Sequence, residues 1–181
     1  MKSRFAFFIT IVGVTLAPVF TSAQLLHHIH EQLNFSAEDD SVHRPIDLPI
    51  GVMEILRRDD YVLDILKDER LSTEKLPTSW FWASQVHLSG TEEEDVVVVG
   101  RCPICGANVS VFWIFRPTLN GFDKVLFTGA LNLEIKKHRS RGYKEIETSS
   151  VTMQKVWTEL WRFDGKHYQA SFPNSPDAKT N

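Results

Sequence analysis

The sequence predicts an α+β domain: two short N-terminal helices and a mostly antiparallel, strongly curved sheet of about six to eight strands. Three observations carry this. Apolar residues recur at helical spacing between Val52 and Leu66, the period falls to two beyond Trp80, and Asn-Gly and Asp-Gly pairs separate apolar runs. Residues three or four apart share a helix face and alternate residues share a strand face, so a change of period marks a change of element.

The chain opens with the three parts of a secretory signal over residues 1–23. Lys2 and Arg4 supply the positive start, Phe5 to Ala17 is a mostly apolar run, and Thr21-Ser22-Ala23 offers small residues for cleavage. That run is shorter than the ~20 residues a bilayer span needs, and no later segment reaches that length, so no membrane span is expected after cleavage. The protein is expected to be secreted or periplasmic. Residues 24–48 read as a polar, partly ordered leader, residues 49–172 as a single α+β domain and residues 173–181 as a frayed tail.

Val52, Ile55, Leu56, Val62, Leu63 and Leu66 form the helical stripe, which Asp59-Asp60 interrupts. An Asp can cap a following helix by accepting its free N–H groups, so two helices, about 50–58 and 60–68, are expected. Val96 to Val99 is a continuous β-branched run of the kind found in strands covered on both faces. Val109, Val111, Trp113 and Phe115 alternate along a second strand, and Leu131, Leu133 and Ile135 along a half-exposed third. Ile146, Thr148 and Ser150 suggest a fourth. A long strand spans about Lys155 to Phe163, and Asp164-Gly165 turns it into Lys166 to Ala170. Asn120-Gly121 carries the same turn signal.

Gly142-Tyr143-Lys144-Glu145-Ile146, followed by Trp161-Arg162-Phe163-Asp164-Gly165-Lys166-His167-Tyr168, resembles the ending of uncharacterised secreted bacterial proteins of unknown function. Gly106-Ala107-Asn108 with Phe112-Trp113-Ile114-Phe115 resembles their central strand. The resemblance covers about residues 80–170. It implies a shared fold and transfers no activity.

A formal net charge of −3, made more negative by loss of Lys2 and Arg4, disfavours phosphate backbones, so no nucleic-acid partner is expected. The one basic cluster, Lys136-Lys137-His138-Arg139 with Arg141, reads as a solvated turn. No Gly-x-Ser-x-Gly elbow, phosphate loop or dinucleotide fingerprint occurs. Glu92 to Asp95 reads as a solvated acidic turn. No cofactor and no metal centre are expected. His27, His28 and His30 lack the HExxH spacing, and two thiols alone are half of a tetrahedral zinc site.

Cys102 and Cys105, with Pro103 and Ile104 between them, are the sequence's two cysteines. In an oxidising compartment such a pair reads as a disulfide that stiffens a turn. Redox catalysis is the alternative, but it calls for a thiol activated at a helix N-terminus, and a β-rich run follows Cys105. The aromatic clusters supply the candidate binding surface: Trp80 and Trp82 on one segment, Trp157 and Trp161 at one parity of the long strand. Packing beneath the helices is the competing role for such stripes. The expectation is a non-enzymatic exported protein that binds a protein or a cell-wall glycan at the cell surface or in the periplasm. A thiol–disulfide oxidoreductase using the CxxC pair and an accessory subunit of an envelope assembly are the alternatives.

Overall fold

The computed structural model describes residues 31–106, 109–152 and 155–171. The expected signal segment, His27, His28, His30 and the tail 173–181 lie outside them. Among the described residues the chain forms β1 (Asn34–Ser36), β2 (Pro45–Ile46), α1 (Ile50–Leu56), α2 (Asp60–Asp68), β3 (Phe81–Val86), β4 (Asp95–Gly100) and β5 (Ser110–Thr118). It continues through β6 (Gly121–Ala130), β7 (Asn132–Ser140), β8 (Tyr143–Thr152), β9 (Lys155–Phe163) and β10 (Tyr168–Ser171).

The single curved sheet of six to eight strands is corrected to two five-stranded antiparallel sheets, ordered β1-β7-β8-β9-β10 and β2-β3-β4-β5-β6. The change of layer is made at one residue. β6 ends at Ala130 on the edge of its sheet, and Leu131 carries the chain into the other, where its N–H donates to the Ser149 carbonyl at 2.8 Å. A crossover at Leu131 replaces the bending that one long sheet would require.

Three layers result, with sheet β2–β6 in the middle. This is why Val96 to Val99 are all buried. Val97 and Val99 pair with Ile114 and Phe112 and join the core between the sheets, which includes Leu126, Leu133, Ile135 and Ile146. Val96 and Val98 pair with Phe115 and Trp113 and face the helices, where Val52, Leu56, Val62 and Leu66 cover them. The helical stripe and the valine run are thus two sides of one interface.

The two helices form where the periodicity places them, and they separate at Asp59. Asp59 occupies the N-cap position of α2 but makes no side-chain capping bond. Its carboxylate turns inward instead, accepting from Lys124 Nζ at 2.6 Å and from the Trp113 indole Nε1 at 3.3 Å. Lys124 reaches it because β6 is irregular opposite Ile114/Phe115: Val125 and Leu126 both enter the core between the sheets. One extra residue in a strand reverses the parity beyond it and turns Lys124 to the helix side.

Residues 31–48 hold to the domain through specific contacts. β1 pairs with β7 and places Phe35, 1% exposed, in the core between the sheets, with Val42 beside it. Gln32 donates to the Asn34 carbonyl and accepts from the His43 N–H, closing the polar loop between them. At the C-terminal hairpin, Asp164 accepts the N–H groups of Lys166 at 2.7 Å and His167 at 2.8 Å, while Gly165 takes φ +115°. These two backbone donors hold the exposed Asp164 carboxyl below its ordinary pKa.

Candidate functional site

Strand polarity gathers most of the candidate residues at one end of the sandwich. Phe81 at the start of β3 pairs with Gly100 at the end of β4, and Ser110 at the start of β5 pairs with Ala130 at the end of β6. Asn132 at the start of β7 pairs with Ser149 near the end of β8, beside the β8–β9 turn. Trp80, Trp82, Cys102, Cys105 and Trp157 therefore share that end. Trp161 sits further along β9.

The four tryptophans have different surroundings. Trp80, half-buried, packs on the helix-side core, whereas Trp82 packs on the core between the sheets. The Arg101 guanidinium lies 4.3 Å from the Trp82 ring centroid and occupies its outer face. Trp161 is half-buried, and its indole N–H donates to Thr148 Oγ1 at 2.9 Å. Trp157 is 59% exposed.

Trp157 is not alone. Lys155, Val156, Trp157 and Thr158 are all exposed, so neither face of this end of β9 is covered. Val156 pairs with Val151 across the hairpin, and the two are 69% and 50% exposed. Trp157 pairs with Ser150 and projects to the opposite face. Both faces of the β8–β9 hairpin end thus present apolar side chains to solvent.

Cys102 and Cys105 form a disulfide that closes the loop between β4 and β5. Within the loop Ile104 is fully buried against the helix-side core, its N–H donates to the Arg101 carbonyl at 2.7 Å, and its own carbonyl accepts from Tyr61 Oη at 2.9 Å. Gly100 is required here, because a Cβ on it would come within 2.9 Å of Ile104 Cγ2. The bridge therefore pins a side chain that plugs the core and a carbonyl that holds α2. By the loop-closure relation, replacing both cysteines by serine is expected to lower unfolding stability by about 2 kcal/mol. Urea unfolding of the double variant measures it, and a loss near zero would remove the bracing role.

Further charged residues, absent from the sequence-based candidates, cluster at the opposite end. Asp95 corrects the reading of Glu92 to Asp95 as a solvated turn: it is buried at the start of β4, accepts the Leu88 N–H at 3.2 Å and lies 3.9 Å from Arg116 Nε. Burial pushes its pKa up to about 6, against the lowering effect of the Leu88 N–H and Arg116. The Arg116 guanidinium lies 4.3 Å from the Tyr143 ring centroid and 4.2 Å from that of Phe163. The Leu88 carbonyl accepts from Arg139 Nη1 and from the Lys144 N–H, which ties the segment after β3 to the other sheet. Glu31 pairs with Lys144 at 2.9 Å and accepts the His87 N–H. Burial would raise the Glu31 pKa, but those partners together hold it below the ordinary value.

The basic cluster is corrected from a solvated turn: Lys136 to Arg139 lie within β7, only Arg141 is in the turn, and several members are engaged. Lys136 bridges Glu134 at 3.0 Å and Glu147 at 3.4 Å, and His138 lies 3.0 Å from Glu145. Among the described residues no group of three or more His, Cys, Asp or Glu side chains is placed to hold a metal ion. Comparison of the chain with protein-family models, with curated proteins and with solved structures finds no match in any of the three.

Proposed function

We propose that the protein is an exported, non-enzymatic binding protein of the periplasm or cell surface, and that it engages a protein partner through the end of the β8–β9 hairpin. The observation that carries this is the pairing of Val151 and Val156 on one face of that hairpin end with Trp157 on the other, all exposed. An apolar feature with two uncovered faces is suited to insertion into a cleft. Tryptophan is enriched at the energetic centres of protein interfaces because it buries much area with few rotatable bonds. Export is supported by the three-part N-terminal pattern and by the disulfide, which persists in oxidising compartments. Among the described residues no helix is long and apolar enough to cross a membrane.

Thiol exchange is the rival reading, and the buried Ile104 inside the bridged loop weighs against it, because opening the bridge would disturb the core. The test is affinity for the partner recovered with the native protein. Trp157→Ala is expected to weaken binding roughly 30-fold, the scale of a 2 kcal/mol hot spot, with an unchanged melting temperature. Unaltered affinity in that variant would refute the assignment. So would binding to lipid vesicles in place of protein.

A further inference from the structure

A second surface, on the outer face of sheet β1-β7-β8-β9-β10, has a different chemistry. A cavity of about 370 Å3 lies over β1, β7 and β8, and another of about 250 Å3 lies between residues 36–39, Trp82 and the disulfide loop. Ser36 and Asp39 line both, so the two adjoin there. The strand register sets the lining of the first in two cross-strand rows. Ser36, Asn132 and Ser149 form one row, and Asn34, Glu134 and Glu147 form the next. Neighbouring strands lie ~4.8 Å apart, so each row offers hydrogen-bonding groups at that regular interval.

The charge balance narrows the ligand class. The first row is uncharged, and within it Asn132 Nδ2 donates to Ser149 Oγ at 3.3 Å. In the second row the two glutamates share Lys136. Asp39 is the remaining carboxylate, so a polyanion finds little to pair with. Phe35 and Leu133 also border the cavity, but their side chains are buried in the core beneath, so the floor is not apolar. What remains is a shallow groove of hydroxyl, amide and carboxylate groups that leads to an indole capped by an arginine. Polar groups at fixed intervals match a ligand rich in hydroxyls, each of which donates and accepts. We propose that this groove binds a neutral oligosaccharide, its hydroxyls on the Ser36–Asn132–Ser149 row and one end near Trp82. On β8 this row borders the hairpin end, since Val151 shares the face of Ser149 two residues along, whereas Trp157 projects from the opposite face.

The experiment titrates the isotope-labelled full chain with chitotetraose and, separately, cellotetraose, followed by amide and indole NMR shifts. At least one probe is expected to shift Ser36, Asn132, Ser149 and the Trp82 indole together. Asn132→Ala, and Asn34→Ala at an exposed position of the edge strand β1, should each weaken binding roughly fivefold, about the contribution of one hydrogen bond. Trp157→Ala should leave the saccharide affinity unchanged, which separates failure of this site from failure of the protein-binding one. The proposal is overturned if neither probe binds more tightly than about 10 mM. It is equally overturned if the shifts gather at Trp157, or if both groove variants bind like the wild type.

Discussion

Replacing Asp59 by alanine is expected to cost about 3 kcal/mol of unfolding stability. The carboxylate is buried at the junction of α1 and α2, and it is the acceptor for the Trp113 indole N–H and for Lys124. Trp113 is fully buried at the centre of the helix-side core, edge-on to Phe81 and tilted against Tyr61 and Phe127. Its indole cannot turn to water, so truncation at Asp59 leaves a buried donor without a partner. Lys124 is 37% exposed at its side chain and can swing into solvent, which holds the loss below that of a fully enclosed ion pair. Asp59→Asn keeps an acceptor for the indole and should cost about half as much. A double-mutant cycle with Lys124→Met isolates the ion pair, which should contribute less than the indole bond. Equal stability of Asp59→Ala and wild type in urea would mean that the carboxylate ties nothing together.

The second large effect depends on pH. Asp95 has a folded-state pKa of about 6 against an ordinary 3.8, so the folded protein holds its proton more tightly than the unfolded chain. A raised carboxyl pKa means that the ionised form is disfavoured in the fold. Stability is therefore lost as pH rises from about 4 through about 6, and the full loss is about 3 kcal/mol. Arg116 and Glu93 act on the Asp95 charge, which in turn acts on Tyr168, and none of the three is altered in Asp95→Asn. The asparagine keeps an oxygen for the Leu88 N–H and cannot ionise. Subtracting its stability profile from that of the wild type removes every other titration. Wild type should match or exceed the variant near pH 4 and fall below it near pH 8. A difference of opposite slope would show that Arg116 and the Leu88 N–H outweigh burial.

Local patterns were legible and long-range ones were not. Both helices lie where the stripe of Val52 to Leu66 places them, because helical periodicity depends on near neighbours alone. The hairpins at Asn120-Gly121 and Asp164-Gly165 were equally visible, since their turn residues answer to backbone geometry. The valine run is covered on both faces, as a continuous β-branched stretch implies. Which layer covers each face depends on strand pairing, and that is set by residues far apart in sequence. The split into two sheets turns on Leu131, which looks like any other apolar residue of an alternating strand. Phe35 and Val42 stand almost alone in a polar stretch, so nothing local marks them as core.

The candidate surface shows the same division. Parity groups Trp157 with Trp161, yet only Trp161 reaches the core between the sheets; Trp157 lies nearer the hairpin turn and stays exposed. Asp59 carries a faint signal, as a charge interrupting an apolar run, whereas its acidic neighbours Glu92 to Glu94 point Asp95 to solvent and strand pairing buries it. Neither announced its partner. Lys124 reaches Asp59 only because one extra residue in β6 reverses the strand's parity, and no periodicity reports that.

The most direct measurement is photo-crosslinking in the native host, with a photoreactive residue placed at position 156 or 157 and, as controls, at the fully exposed Leu119 and at Ile50. Adducts to one discrete protein are predicted from 156 and 157, and none from 119 or 50. Adducts from the control positions alone, or a hairpin end that stays unreacted, would contradict the account.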